Sequence, residues 1–147
     1  MNIILRTPLI KFLHVFFTAV ILSGCASYTV TTESLTTQLE NNQDPSVKTH
    51  FTPYTVTDYP SNNLSRIKCV DIKGNQVWLY PDKNTEFRIT RRSTDNKVRA
   101  YFDTLILKND TLFGLRSRII GGLRVVPVAD IEKIEIYAEM PRTEKIK

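Results

Sequence analysis

Histidine and cysteine are scarce in this 147-residue chain, two of each, and tryptophan occurs once. No Cys-x-x-Cys or His-x-x-x-His spacing and no dense Asp loop is present, so neither zinc nor calcium ligation is encoded in recognisable form. Asp82 to Glu86 lacks the ligand density and central glycine of a calcium loop and reads as a turn. Glycines number five, and the adjacent Gly121-Gly122 belongs to no phosphate-cradling pattern. No cofactor is therefore expected. Also missing is any apolar run of the roughly 20 residues that a membrane-spanning helix requires.

Acidic residues are absent from the first 24 positions, where Arg6 and Lys11 precede the apolar stretch Phe12 to Leu22 and the small pair Ser23-Gly24. Basic, apolar, then small is the order of a secretory signal peptide. The next residue refines the type. Leu22-Ser23-Gly24-Cys25 resembles the lipobox of bacterial lipoproteins, an apolar residue and two small ones before the lipid-bearing cysteine. The resemblance implies cleavage between Gly24 and Cys25, diacylglycerol on the Cys25 thiol and acylation of the freed amine. Two or three acyl chains suffice for stable anchoring. Ala26-Ser27-Tyr28 follows with no aspartate beside the lipid site and no acidic run. By analogy with Gram-negative lipoproteins this implies an anchor in the outer membrane, facing the periplasm.

Cleavage would change the chemistry of what remains. His14 leaves with the signal, and the basic residues fall from 20 to 18 against 15 acidic ones, a net charge of +3. The sequence pI of about 9.3 is thus no sign of nucleic-acid binding. With Cys25 lipidated, Cys69 has no partner for an intramolecular disulfide. Set in the alternating Ile67-Lys68-Cys69-Val70-Asp71-Ile72, it reads as a small buried hydrophobe. A Cys69/His50 nucleophile and base would lack a third, orienting group. Carboxylate pairs for glycoside hydrolysis need only meet in space, so the acidic residues single out no pair.

Four segments are expected: the signal peptide over 1–24, a lipid-attached polar tether and irregular arm over 25–65, a β-domain over 66–140, and a loose charged tail over 141–147. The tether would reach on the order of 25–40 Å. Ser34 to Glu40 allows a short helical turn, and Phe51, Tyr54, Val56 and Tyr59 suit an arm or edge strand laid on the domain. From Ile67 onward short alternating runs are separated by turn residues, the texture of a mainly β fold: a small antiparallel barrel, roll or sandwich of about seven short strands. Gly121-Gly122 marks a hairpin between Leu112–Ile120 and Leu123–Pro127. The stretch Asp103 to Tyr137 loosely resembles uncharacterised Bacteroidetes-type small β lipoproteins, with Val126-Pro127-Val128-Ala129-Asp130-Ile131 followed by Ile134-Glu135-Ile136. Asp103-Thr104-Leu105 and Asp110-Thr111-Leu112 resemble the short glycosylation sites of that lineage.

Charge is distributed unevenly. Between Arg88 and Arg124 nine basic residues face three acidic ones. Arg88, Arg91, Arg92, Lys97, Arg99, Arg116, Arg118 and Arg124 are candidate contacts for an anionic lipid, an acidic glycan or a partner protein, because residues two apart on a strand share a face. The competing reading is the solvated outer face of a sheet. Trp78 and Tyr80 share one strand face and would add contacts if exposed, although Trp78 suits a core. The leading functional expectation is a non-enzymatic envelope lipoprotein that binds a partner protein or anionic component. Two alternatives stand beside it. A carboxylate-dependent glycan- or peptide-processing enzyme predicts a concave pocket holding acids of raised pKa. A structural accessory subunit of an envelope complex predicts an exposed apolar patch.

Overall fold

A computed structural model describes residues 26–42 and 45–146. The expected signal peptide and the expected lipid site at Cys25 lie outside the described residues. The fold is mainly β and antiparallel, with twelve strands among the described residues where about seven were expected.

The first correction concerns the segment read as a tether. Ala26–Val30 forms strand β1, and Thr32–Glu40 forms helix α1. β1 lies inside a seven-stranded sheet, between β4 (Ile67–Asp71) and β11 (Ile131–Ala138). Its composition is polar, but its period is two: Tyr28 and Val30 are buried while Thr29 faces out. Along β11 the register runs from Ala26 opposite Ala138 to Val30 opposite Ile134. In α1, Leu35 and Leu39 stand four apart and are both buried, the spacing that puts them on one helical face. Thr31 caps the helix, its hydroxyl accepting from the Ser34 amide at 3.2 Å.

The sheet order is β12-β5-β4-β1-β11-β6-β7, adding β5 (Gln76–Tyr80), β6 (Glu86–Arg91), β7 (Lys97–Tyr101) and β12 (Arg142–Lys145). The last is a second correction, since the charged tail was expected to be loose. Its four residues are all exposed, yet Arg142 to Lys145 pair with Tyr80 to Val77 through the backbone. Hydropathy could not reveal a strand that buries none of its side chains. One sheet face carries the core, with Ile67, Leu79, Phe87, Ile134 and Ile136 almost wholly enclosed; α1 covers the β4 and β11 side with Leu35 and Leu39, and Phe102 stacks on Phe87 at 5.4 Å between ring centroids. Cys69 joins this core as expected.

β1 pairs with β4 only at Tyr28–Asp71 and Thr29–Val70. Beyond that point the side-chain amide of Gln38, on α1, takes the strand's place. Its Oε1 accepts from the Lys68 amide at 2.7 Å, and its Nε2 donates to the Lys68 carbonyl at 3.2 Å. An otherwise orphaned pair of backbone groups is thereby satisfied.

A three-stranded sheet, ordered β10-β9-β8, packs beside β7. It comprises β8 (Ile106–Lys108), β9 (Thr111–Ser117) and β10 (Gly121–Pro127). The contact is close at Gly114, where an added Cβ would lie 2.7 Å from Ala100 Cβ and 3.0 Å from Leu105 Cδ2. The expected hairpin is present, but its turn lies at residues 118–120: β9 ends at Ser117 rather than running to Ile120, and Gly121 and Gly122, both at positive φ, open β10 instead of forming the turn. The Ser117 hydroxyl accepts from the amides of Ile119 and Ile120 and turns the chain there. Two short 3-10 turns, Phe102–Thr104 and Val128–Asp130, introduce β8 and β11.

The expected irregular arm is an ordered hairpin of β2 (Ser46–Phe51) and β3 (Val56–Ser61). Asn62, which looked like one more polar loop residue, is buried and ties the hairpin down. Its Nδ2 donates to the carbonyls of Phe102 at 2.7 Å and Leu105 at 3.0 Å. Its own amide donates to the Asp103 carbonyl at 2.9 Å.

Candidate interaction surface

The eight basic residues do not form one strip. Arg118, expected to share a face with Arg116, falls beyond the end of β9 and turns inward, its side chain 9% exposed. Its guanidinium donates to Asp103 at 2.6 and 3.3 Å and to the Lys83 carbonyl at 2.6 Å, and lies 4.0 Å over the Tyr101 ring. Burial alone would lower the Arg118 pKa, but the Asp103 carboxylate more than offsets this and the value is raised. Tyr59 completes the cluster by donating to Asp103 at 2.7 Å; burial and that bond push its phenol up. These groups fasten the β2–β3 hairpin to the domain, and Arg118 has no face left for a ligand.

Arg91 and Arg92 are also engaged. Arg91 Nε donates to Asp130 at 2.7 Å, while the Arg92 amide and guanidinium donate to the carbonyls of Asp130 and Ile131. Asp130 accepts further from the Ser93 amide and hydroxyl. The Arg91 hydrogen bond, followed by the Ser93 amide, holds the Asp130 carboxyl below its usual range. On the outer face of the large sheet, Arg88 stacks 3.7 Å over Tyr137 and lies 3.5 Å from Glu86. Lys97 shares Glu135 with Lys133, whose hydrogen bond is the main reason that carboxyl is lowered. Trp78, thought suited to the core, is half-buried on this outer face under Arg66, 4.2 Å from its ring, and Tyr80 lies under Arg142 at 4.6 Å. On this face Trp78, Tyr80 and Tyr137 are each covered by a guanidinium, which satisfies the ring without a second protein layer.

Arg99, Arg116 and Arg124 are left without an ion-pair or hydrogen-bond partner in their side chains among the described residues. Arg99 and Arg116 line a shallow cleft of about 220 Å³ together with Glu86, Ala100 and Tyr101. Among the described residues, this pair is the fragment of the expected basic surface that shares a cleft, while Arg124 stands apart from it.

The nucleophile reading of Cys69 loses its chemistry. Burial first, and the Asp71 charge second, push the thiol up to about 12, so it stays protonated. It faces the core from β4, whereas His50 sits on β2 opposite Thr57. The carboxyls with resolved shifts, Asp71, Asp130 and Glu135, are all lowered by donors that also shape turns or strands. A general acid would need the opposite shift.

The surface that sequence reading underrated is the outer face of the β2–β3 hairpin. Register places Val47 opposite Pro60, Thr49 opposite Asp58 and Phe51 opposite Val56. Those six residues share one side, all of them exposed, with Phe51 at 73%. The Thr49 hydroxyl donates to Asp58 at 2.6 Å between the two apolar pairs. Tyr54 at the tip is exposed to 93%. The opposite side turns Tyr59 and Ser61 into the domain. Alternation was the available signal, since Val47, Thr49 and Phe51 stand two apart, but nothing local told which side would face solvent. Comparison of this chain with family models, with curated proteins and with solved structures finds no match.

Proposed function

We propose that the protein is a bacterial envelope lipoprotein, anchored by lipid on Cys25, whose β-domain serves as a non-enzymatic docking subunit for a partner protein. The observation that carries this reading is the β2–β3 hairpin, which holds two exposed apolar cross-strand pairs on one side while its other side is pinned by Tyr59, Asp103 and Asn62. An exposed apolar face rimmed by polar groups is the ordinary form of a protein contact. It favours an accessory or adaptor role over capture of an anionic component. The second reading, anion binding, retains the Arg99–Arg116 cleft in its favour.

Photocrosslinking in intact membranes separates the two. A photoreactive residue at position 51 should give adducts with one defined protein, and Val47→Asp with Val56→Asp should abolish them without unfolding the domain, because both sites are exposed. Arg99→Glu with Arg116→Glu should leave them intact. Adducts confined to lipid or glycan, lost on the arginine substitutions alone, would refute the docking reading. Normal processing and membrane retention of Cys25→Ser would refute the anchor.

A further inference from the structure

The strand that begins at Ala26 leaves no slack between the proposed lipid site and the folded domain. Consecutive Cα atoms are about 3.8 Å apart, so a lipid on Cys25 would hold the Ala26 end of β1 at the bilayer surface. What surrounds that end then decides how the domain sits. Ala26 pairs with Ala138, and two residues beyond lies Met140, exposed to 95% at a positive φ of 44°. On the other flank, β1 pairs with the end of β4, and the next residue is Ile72, exposed to 81% at the β4–β5 turn. One open cleft is lined by Ala26, Tyr28, Ile72, Lys73 and Lys145 among others, which puts the start of β1, the β4–β5 turn and the C-terminal strand on a common rim.

The rim is built firmly. The Asp71 carboxylate accepts from the amides of Lys73 and Asn75, each at 2.8 Å, and from the Asn75 side chain at 3.0 Å, fixing the turn that presents Ile72. Met140 occupies a left-handed conformation in which glycine or asparagine is the usual occupant, yet it is an apolar side chain held out in solvent. Lys73 and Lys145 are exposed on the cleft beside Ile72, Glu139 is exposed next to Met140, and Asp71 is spent on the turn.

Resting on the anchor reading above, we propose that Ile72 and Met140, flanked by Lys73 and Lys145, form a membrane-contacting rim that seats the domain directly on the lipid surface beside Cys25. The two apolar side chains enter the boundary between headgroups and acyl chains, and the two ammonium groups meet headgroup phosphates. The protein is thereby oriented on its membrane rather than swinging from it.

The test uses the mature lipidated protein, beginning at Cys25, in phosphatidylethanolamine/phosphatidylglycerol vesicles with brominated acyl chains, which quench nearby indoles. In a Trp78→Phe background, single reporters are introduced by Ile72→Trp, Met140→Trp and Thr94→Trp. Thr94 sits in the exposed β6–β7 turn, past Arg91, which pairs with Ile131 at the far end of β11. The eight residues of β11 put that end about 24 Å from Ala138. Because interfacial side chains bury 5–10 Å into the boundary, the reporters at 72 and 140 should be quenched at least about twofold more than the one at 94. Intact mass of the same samples reports the Cys25 lipid. A lipidated protein quenched equally at all three sites would overturn the seating while leaving the anchor standing. An unmodified Cys25 would remove the anchor, and the seating with it.

Discussion

Asp103→Ala should cost more stability than any other single removal of a charge from this domain. Arg118 and Asp103 retain 9% and 16% exposure of their side chains, and the carboxylate binds both the guanidinium and the Tyr59 hydroxyl. Deleting it strands a buried cation and a buried phenol together. Loss of one partner from a buried ion pair costs about 3–5 kcal/mol. Arg118 keeps the Lys83 carbonyl and the Tyr101 ring, so the lower end applies, about 3 kcal/mol. For a domain of this size that lowers Tm by roughly 12 °C. Near-UV circular dichroism during thermal unfolding in detergent micelles measures the shift. Adding Arg118→Met removes the stranded charge and should recover about half of the loss, because an apolar replacement of a buried pair is often neutral. A shift below about 2 °C for Asp103→Ala, or a double variant whose loss equals the sum of the two single losses, would refute the idea of a coupled buried cluster.

Two further outcomes follow from the packing and the titrations. Gly114→Ala places a methyl 2.7 Å from Ala100 Cβ, which belongs to a paired strand and cannot swing away. It should cost about 1–3 kcal/mol in urea unfolding, with most of that restored by Ala100→Gly; a neutral Gly114→Ala would show that β7 and β9 are not tightly apposed. Asp130, held below its ordinary 3.8 by Arg91 and Ser93, contributes stability that is complete above that value and fades as the pH falls through the lower folded one. Asp130→Asn should therefore lower the urea midpoint at about pH 6 and converge on the parent protein at about pH 2; a difference that persists undiminished in acid would place the stabilisation elsewhere.

The sequence by itself determined the β class, the pairing of the strands on either side of residues 118–120 as a hairpin, and the burial of Cys69. These depend on local periodicity and on backbone conformations that neighbouring residues dictate. It also marked the charged residues of the Arg88–Arg124 segment without telling which would remain free, since ion pairing depends on partners distant in sequence: Asp103 lies 15 residues from Arg118, and Asp130 lies 39 from Arg91. Composition misled where strands or helices bury few side chains. β12 buries no side chain and is held by backbone pairing and by surface contacts of Arg142 and Glu144 with Tyr80, and the polar segment after Cys25 becomes β1 and α1 because Tyr28, Val30, Leu35 and Leu39 join a buried core. Only the tertiary structure could decide that the hairpin side bearing Val47 and Phe51 faces outward, because a strand has two faces and its alternation is the same whichever one the domain takes.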